Sequence, residues 1–178
     1  MELSSLLALP DGLEVASTAV TGQILTLLLV ATATTAMCPL CGYAATHVRS
    51  SYTRHVADVP YAGRQVQLIL RVRTFRCDTT DCPRRVFAER LVPFIEPWAR
   101  MTTRLSQTIE AIGLVTCGEL GARFAPRLGI VTSPTTILRR TMTLPAGPSE
   151  QVSQLGIDAR ELPSGPPIRN HSRQFSHP

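Results

Sequence analysis

Two apolar-rich runs open the chain, Leu13–Val20 and Ile24–Ala33, joined by Thr21-Gly22-Gln23. Runs of this length rich in β-branched residues around a Gly-containing turn predict a β-hairpin, here leading straight into a cysteine turn. The second run is the most apolar of the chain but is shorter than the roughly 20 residues a spanning helix needs, so it reads as a buried strand. His47–Val56 and Val66–Arg76 alternate with the period of two that marks half-buried strands, joined through Asp58-Val59-Pro60-Tyr61-Ala62-Gly63. In the second of them Leu68, Leu70 and Val72 fall on one face, and Ile69, Arg71, Arg73 and Phe75 on the other. The first face is expected to pack, and the second to face solvent or phosphate.

From Pro97 the period changes. Thr102-Thr103 is placed to cap a helix through about Leu114, with Leu105, Ile109 and Ile112 at helical spacing. A second helix is expected over 118–128, with Leu120, Phe124 and Leu128 on one stripe and Pro126 limiting its length. After the turn Leu128-Gly129-Ile130-Val131, Ser133 is an N-cap and Pro134 occupies the first position of a third helix carrying Thr135, Thr136, Arg139 and Arg140. Helix, Gly turn and capped helix are the order of a helix-turn-helix, a pattern that any small helical hairpin also shows. Residues 146–178 are rich in Pro, Ser and Gly and poor in apolar residues, and are expected to be disordered. The fold class expected is α+β: a β-rich zinc-ribbon domain over 1–95, a small helix-turn-helix domain over 96–145 and a tail over 146–178.

The ribbon is expected because of four cysteines, Cys38 and Cys41 in Cys-Pro-Leu-Cys-Gly and Cys77 and Cys82 in Cys-Asp-Thr-Thr-Asp-Cys-Pro. Two close pairs separated by a longer insert suit a tetrahedral structural Zn²⁺, each pair aiming two thiolates at one point. A disulfide scaffold is the other use of paired cysteines. It would leave the fifth, Cys117, unpaired, and the segment ahead of Cys38 does not read as a cleavable signal peptide. His47 and His55 lie between the pairs but are read as ordinary strand residues, since four thiolates already complete a zinc site.

Charge adds a partner. All 18 basic residues are Arg, and the formal net charge is +5. Residues 1–41 hold Glu2, Asp11 and Glu14 and no Arg, whereas residues 42–145 hold 15 Arg against 7 acids. The positive field thus lies on the cysteine region and the helices, and nucleic acid is the leading partner for it.

With ribbon and helices in this order, the chain resembles the N-terminal part of the ISL-three family of insertion-sequence transposases over about residues 13–158. The resemblance rests on Cys38-Pro-Leu-Cys41-Gly42, Tyr52-Thr53-Arg54, Asp58-Val59-Pro60, Gly63-Arg64, the run Leu70–Cys77, the run Cys82–Leu91 and Pro97-Trp98-Ala99-Arg100. Gly118–Arg123 and Leu128-Gly129-Ile130 match its helical segment.

The resemblance implies a bacterial, nucleoid-associated cytoplasmic protein that binds double-stranded DNA at terminal inverted repeats and is not a membrane protein. It also implies partnership with itself or an intact transposase. Contacts to DNA are expected from Arg71, Arg73, Arg76, Arg84, Arg85, Arg123, Thr135, Thr136, Arg139 and Arg140; solvation of a strand's outer face is the plainer role for the first three. Trp98 is expected as a packing anchor between ribbon and helices, and Cys117 as a small buried helix residue. Leu155-Gly156-Ile157-Asp158 resembles the start of the family's catalytic domain, which uses three carboxylates to hold two divalent metals. Beyond Asp158 the only acid is Glu161, so strand cleavage is not expected. Residues 159–178 read as frameshifted sequence, making the chain a truncated transposase. The alternatives are a protein-interaction module that inhibits intact transposase, and the front part of an active enzyme restored by frameshifting.

Overall fold

In the computed structural model, residues 7–145 are described, and residues 7–144 belong to one compact unit. The tail expected over 146–178, Asp158 included, lies outside the described residues. The element types agree with an α+β fold: among the described residues seven strands precede two α-helices.

The expected N-terminal hairpin is present as β1 (Leu13–Thr21) and β2 (Ile24–Ala31), antiparallel around Gly22-Gln23. Two short strands, β3 (Ala36–Met37) and β4 (Ala44–Ala45), frame the first cysteine pair. The long hairpin follows as β5 (Val48–Tyr61) and β6 (Arg64–Arg76), and β7 (Val86–Ala88) closes the sheet. β5 runs on through the Asp58–Tyr61 stretch read as a connection, because Tyr61 still pairs with Arg64. The turn contracts to Ala62-Gly63, both at positive φ, as a two-residue hairpin loop matched to strand twist requires.

The sheet order is β1-β2-β6-β5, with β2 parallel to β6 and the other pairs antiparallel. β2 pairs with Gln65–Arg71 and β7 with Thr74–Arg76, so the two lie end to end along one edge of β6. Leu27, Leu29, Val56, Leu68, Leu70 and Val72 are buried together on one face of this sheet, with Leu7, Leu13 and Ile95. Burying each such side chain contributes about 1.5–3 kcal/mol before entropy is counted. The alternation read from β6 therefore holds through Val72, but Phe75 on the opposite face is also fully buried, within the cysteine cluster.

Helix α1 (Thr103–Phe124) starts as expected, the Thr102 hydroxyl accepting from the Leu105 amide. It is fastened to β5 by Ala57 N–H to Arg100 carbonyl (2.9 Å) and Thr102 N–H to Ala57 carbonyl (3.0 Å). A buried carboxylate strengthens the joint. Asp58 accepts from the Thr102 hydroxyl at 2.6 Å and from Arg104 Nε at 2.7 Å, and its second oxygen takes Arg104 Nη2. Arg104 also donates to the Leu7 carbonyl at 2.6 Å.

α1 does not stop near Leu114. It breaks at Cys117 (φ 60°, ψ −178°) and resumes to Phe124, followed by a 3₁₀ turn, Ala125–Leu128, and α2 (Pro134–Met142). The second arm corrects the expected stripe. Leu120, Phe124 and Leu128 are exposed, and the inward face is Gly118, Gly121, Ala122 and Ala125, at i, i+3, i+4 and i+7. Close approach of α2 explains the choice: a Cβ on Gly118 would meet Leu138 Cγ at 2.8 Å, and one on Gly121 would meet Ile137 Cδ1 at 3.0 Å. Leu105, Ile109, Ile130 and Ile137 complete this second core. Cys117, expected to be buried, is exposed at the break. No helix among the described residues is long and apolar enough to cross a membrane.

Candidate metal centre

Both cysteine pairs sit on turns the sheet holds in place. At the first, Cys38 N–H donates to the Tyr43 carbonyl (2.8 Å) and Gly42 N–H to the Cys38 carbonyl (2.9 Å), and Gly42 takes φ 71°. At the second, Cys77 N–H donates to the Arg85 carbonyl (3.0 Å) and Cys82 N–H to the Thr79 carbonyl (3.3 Å). Arg85 reinforces this turn, its guanidinium donating to the carbonyls of Thr79 (3.1 Å) and Thr80 (3.3 Å).

The four sulfurs converge. Cys38 Sγ lies 3.9 Å from Cys82 Sγ, Cys41 Sγ lies 3.5 Å from Cys77 Sγ, and all four are within 4.8 Å of one another. Four thiolates about 2.3 Å from one zinc stand roughly 3.8 Å apart at the corners of a tetrahedron, a value the two close pairs bracket. All five cysteines are free, and the close sulfur pairs stand well beyond the roughly 2.0 Å of a disulfide bond. Cys38, Cys77 and Cys82 are buried with Ala45, Phe75 and Phe87, and the two Phe rings stack with centroids 6.1 Å apart. Among the described residues this is the one cluster of three or more metal-ligating side chains, and neither His47 nor His55 belongs to it. His47 faces Asp78 at 3.8 Å, and His55 faces Gln67.

Local environment splits the thiols even before a metal neutralises them. Hydrogen bonding from the Tyr43 backbone, aided by Thr79, lowers Cys41 to about 6, while desolvation pushes Cys82 up to about 12. Bound Zn²⁺ would supply the positive charge that lets the three buried thiols ionise together with the exposed Cys41.

Residues 34–82 match a family model described as the zinc-finger of transposase IS204/IS1001/IS1096/IS1165. The cysteine region is thus similar to a transposase zinc ribbon, and the donor set is that of a closed structural Zn²⁺ site. No curated protein and no solved structure matches the chain.

The arginines singled out from the sequence separate into two groups. Arg73 is committed within the fold: Nη2 meets Glu89 at 2.6 Å and its own amide donates to the same carboxylate at 2.7 Å. Arg85 is committed to the second cysteine turn. Arg76 pairs with Asp78 at 3.1 Å, with both side chains solvated, and Arg71 reaches Ser51 only at 3.5 Å. Arg84, Arg123 and Arg139 are exposed, and Arg140 is half-buried.

On α2, Thr135 is exposed, whereas Thr136 completes the N-cap with Ser133, hydroxyl to hydroxyl at 2.9 Å. Two roles were missed in the sequence, those of Arg54 and Glu89. Arg54 donates to the Ala99 carbonyl at 2.5 Å, and neither residue had a spacing signal to mark its distant partner. Trp98, expected to anchor ribbon to helices, is instead 91% exposed at φ 66°.

Proposed function

We propose that the chain is a transposase-derived fragment that binds double-stranded DNA, at the terminal inverted repeats of an insertion sequence, without strand-transfer activity of its own. The match of residues 34–82 to a transposase zinc finger carries this reading. The surface chemistry supports it. Exposed Arg71, Arg84, Arg123 and Arg139 offer guanidinium forks for phosphates, and charge of this kind supplies most non-specific affinity for DNA.

In this reading residues 1–95 act as the ribbon part and residues 96–145 as a helix-turn-helix. The second arm of α1 and the 3₁₀ turn form its first helix, Gly129 its turn, and α2 the reading helix. Gly129 at φ 77° and the Ser133 cap on α2 are the features such a unit needs. Thr135 and Arg139 reach the base edges, and Arg76 and Arg140 contact backbone. Arg73 and Arg85 act indirectly, by holding β6 and the second cysteine turn. The site of action is the bacterial nucleoid.

Anisotropy titration of labelled repeat duplex tests the proposal. Arg139→Gln weakens binding by about 1–3 kcal/mol if Arg139 reads a base. Unchanged affinity in that variant and in Arg71→Gln together would overturn it.

One observation favours a second reading, a protein-interaction module. Leu114, Val115, Leu120, Phe124, Leu128 and Met142 are all exposed on the helices. Association with another copy or with an intact transposase would cover them. Sedimentation of the fragment alone and mixed with intact transposase, compared with its duplex affinity, separates the two readings.

A further inference from the structure

A groove of about 470 Å³ opens between the β5–β6 surface and the segment that follows the second cysteine turn. Val72 and Ile95, both buried, form an apolar floor, while Tyr52, Arg84, Arg90 and Trp98 line the rest. Tyr52 pairs with Val72 and shares its face, so the groove lies on the side of the sheet opposite Arg71.

Three features of this groove are unexplained by folding. The first is Trp98, whose large apolar ring is left in water. The second is the backbone that carries it. Trp98 sits at φ 66°, a conformation that L side chains rarely adopt, in a loop stapled by Ala99 N–H to Glu96 carbonyl (3.1 Å) and by Arg54 to the Ala99 carbonyl (2.5 Å). A strained backbone persists where its surroundings over-determine it, commonly at ligand sites. The third is charge. Arg84 and Arg90 are exposed and form no ion pair among the described residues, and the nearby Glu89 carboxylate is already occupied by Arg73.

An aromatic platform beside two unpaired guanidinium groups, in a groove of small-ligand size, has the chemistry of a nucleotide site: ring on base, cations on the flanking phosphates. Duplex DNA does not fit it, because bases within a helix stack on one another and offer no free face to an indole. We infer that this groove binds unpaired nucleotides of single-stranded DNA, with the base stacked on Trp98 and the phosphates held by Arg84 and Arg90. The site extends the chain's nucleic-acid chemistry beyond the duplex reading. It stands or falls separately, because its chief residues, Trp98 and Arg90, have no part in that reading.

Trp98 is the only tryptophan of the chain, so intrinsic emission reports on this groove directly. The full zinc-loaded chain is titrated with an eight-nucleotide oligothymidine, which does not itself fluoresce. Quenching that saturates is the expected result. By anisotropy of labelled oligothymidine, Trp98→Ala weakens binding about 5- to 150-fold, the range of one lost base stack, while Trp98→Phe keeps most of the affinity. Arg90→Gln reduces the slope of log affinity against log salt by about 0.7, the share of one single-strand phosphate. Zinc content of one per chain confirms that each variant keeps its ribbon, and affinity for repeat duplex stays unchanged in Trp98→Ala. Unaltered emission at saturating oligothymidine, or equal affinity of Trp98→Ala and the parent chain, would overturn the inference. So would saturation by a phosphotyrosine peptide or inorganic phosphate in place of oligothymidine.

Discussion

Removing the Asp58 carboxylate is the sharpest test of how the helices are fastened to the sheet. The Asp58 side chain is 1% exposed and takes two donors from Arg104, one from the Thr102 hydroxyl and one from the Val59 amide at 2.8 Å. In Asp58→Ala the Thr102 hydroxyl loses its acceptor and the Arg104 guanidinium loses its counter-charge. Breaking a buried ion pair from one side costs about 3–5 kcal/mol. Arg104 is 28% exposed and keeps the Leu7 carbonyl, which relieves part of that cost and places the variant near the lower end, about 3 kcal/mol.

A domain of this size loses roughly 2–4 °C of Tm per kcal/mol, so the midpoint should fall by about 6–12 °C. Thermal unfolding followed by circular dichroism, with zinc held in excess, measures it. Arg104→Ala leaves a carboxylate buried without its cation, and should cost at least as much. The double variant should cost clearly less than the sum of the two. A fall below about 2 °C in Asp58→Ala, or strict additivity in the cycle, would refute the assignment of the joint to this pair.

Three further outcomes follow from the same geometry. Cys82→Ser removes one of four convergent ligands from the Phe75–Phe87 core and should abolish stoichiometric zinc binding by metal analysis, whereas Cys117→Ser, exposed at the helix break, should leave zinc content intact. Gly121→Val places branched carbons where Thr116 Oγ1 and Ile137 Cδ1 lie within 2.8 and 3.0 Å of a first Cβ; it should lower stability by about 1–3 kcal/mol in urea unfolding, with zinc retained. Protons compete with zinc for the thiolates, and a depressed pKa such as that of Cys41 stabilises above its ordinary value of 9.0 and ceases to do so as pH falls through about 6; chelator-trapped zinc should therefore appear on acidification toward and below pH 6, and be absent at pH 8.

What could be read from the sequence was local. The cysteine turns, the Thr102 and Ser133 caps and the strand alternation each depend on residues a few positions apart, and all are present. The misread features depend on partners distant in the chain. β2 lies parallel to β6 because its apolar face completes the same core as Leu68 and Leu70, a pairing that no turn signal encodes.

The stripe of Leu120, Phe124 and Leu128 satisfies helical periodicity but loses to the small-residue face of Gly118, Gly121 and Ala125, because α2 approaches too closely for larger side chains. Arg73 and Arg85 looked like surface charges only while Glu89 and the Thr79 and Thr80 carbonyls could not be placed beside them. Trp98 carried a hydrophobic prior that its exposed position reverses.

Duplex affinity measured with and without zinc tests the central claim most directly. Labelled repeat duplex is titrated with zinc-loaded and chelator-stripped protein between 50 and 200 mM salt. With about four arginines on phosphates, the loaded chain should lose on the order of 10²-fold in affinity across that range, and stripping should abolish binding at every salt concentration. Equal affinity of the loaded and stripped protein, or no binding by the loaded protein at micromolar concentration in 50 mM salt, would contradict a zinc-built DNA-binding unit.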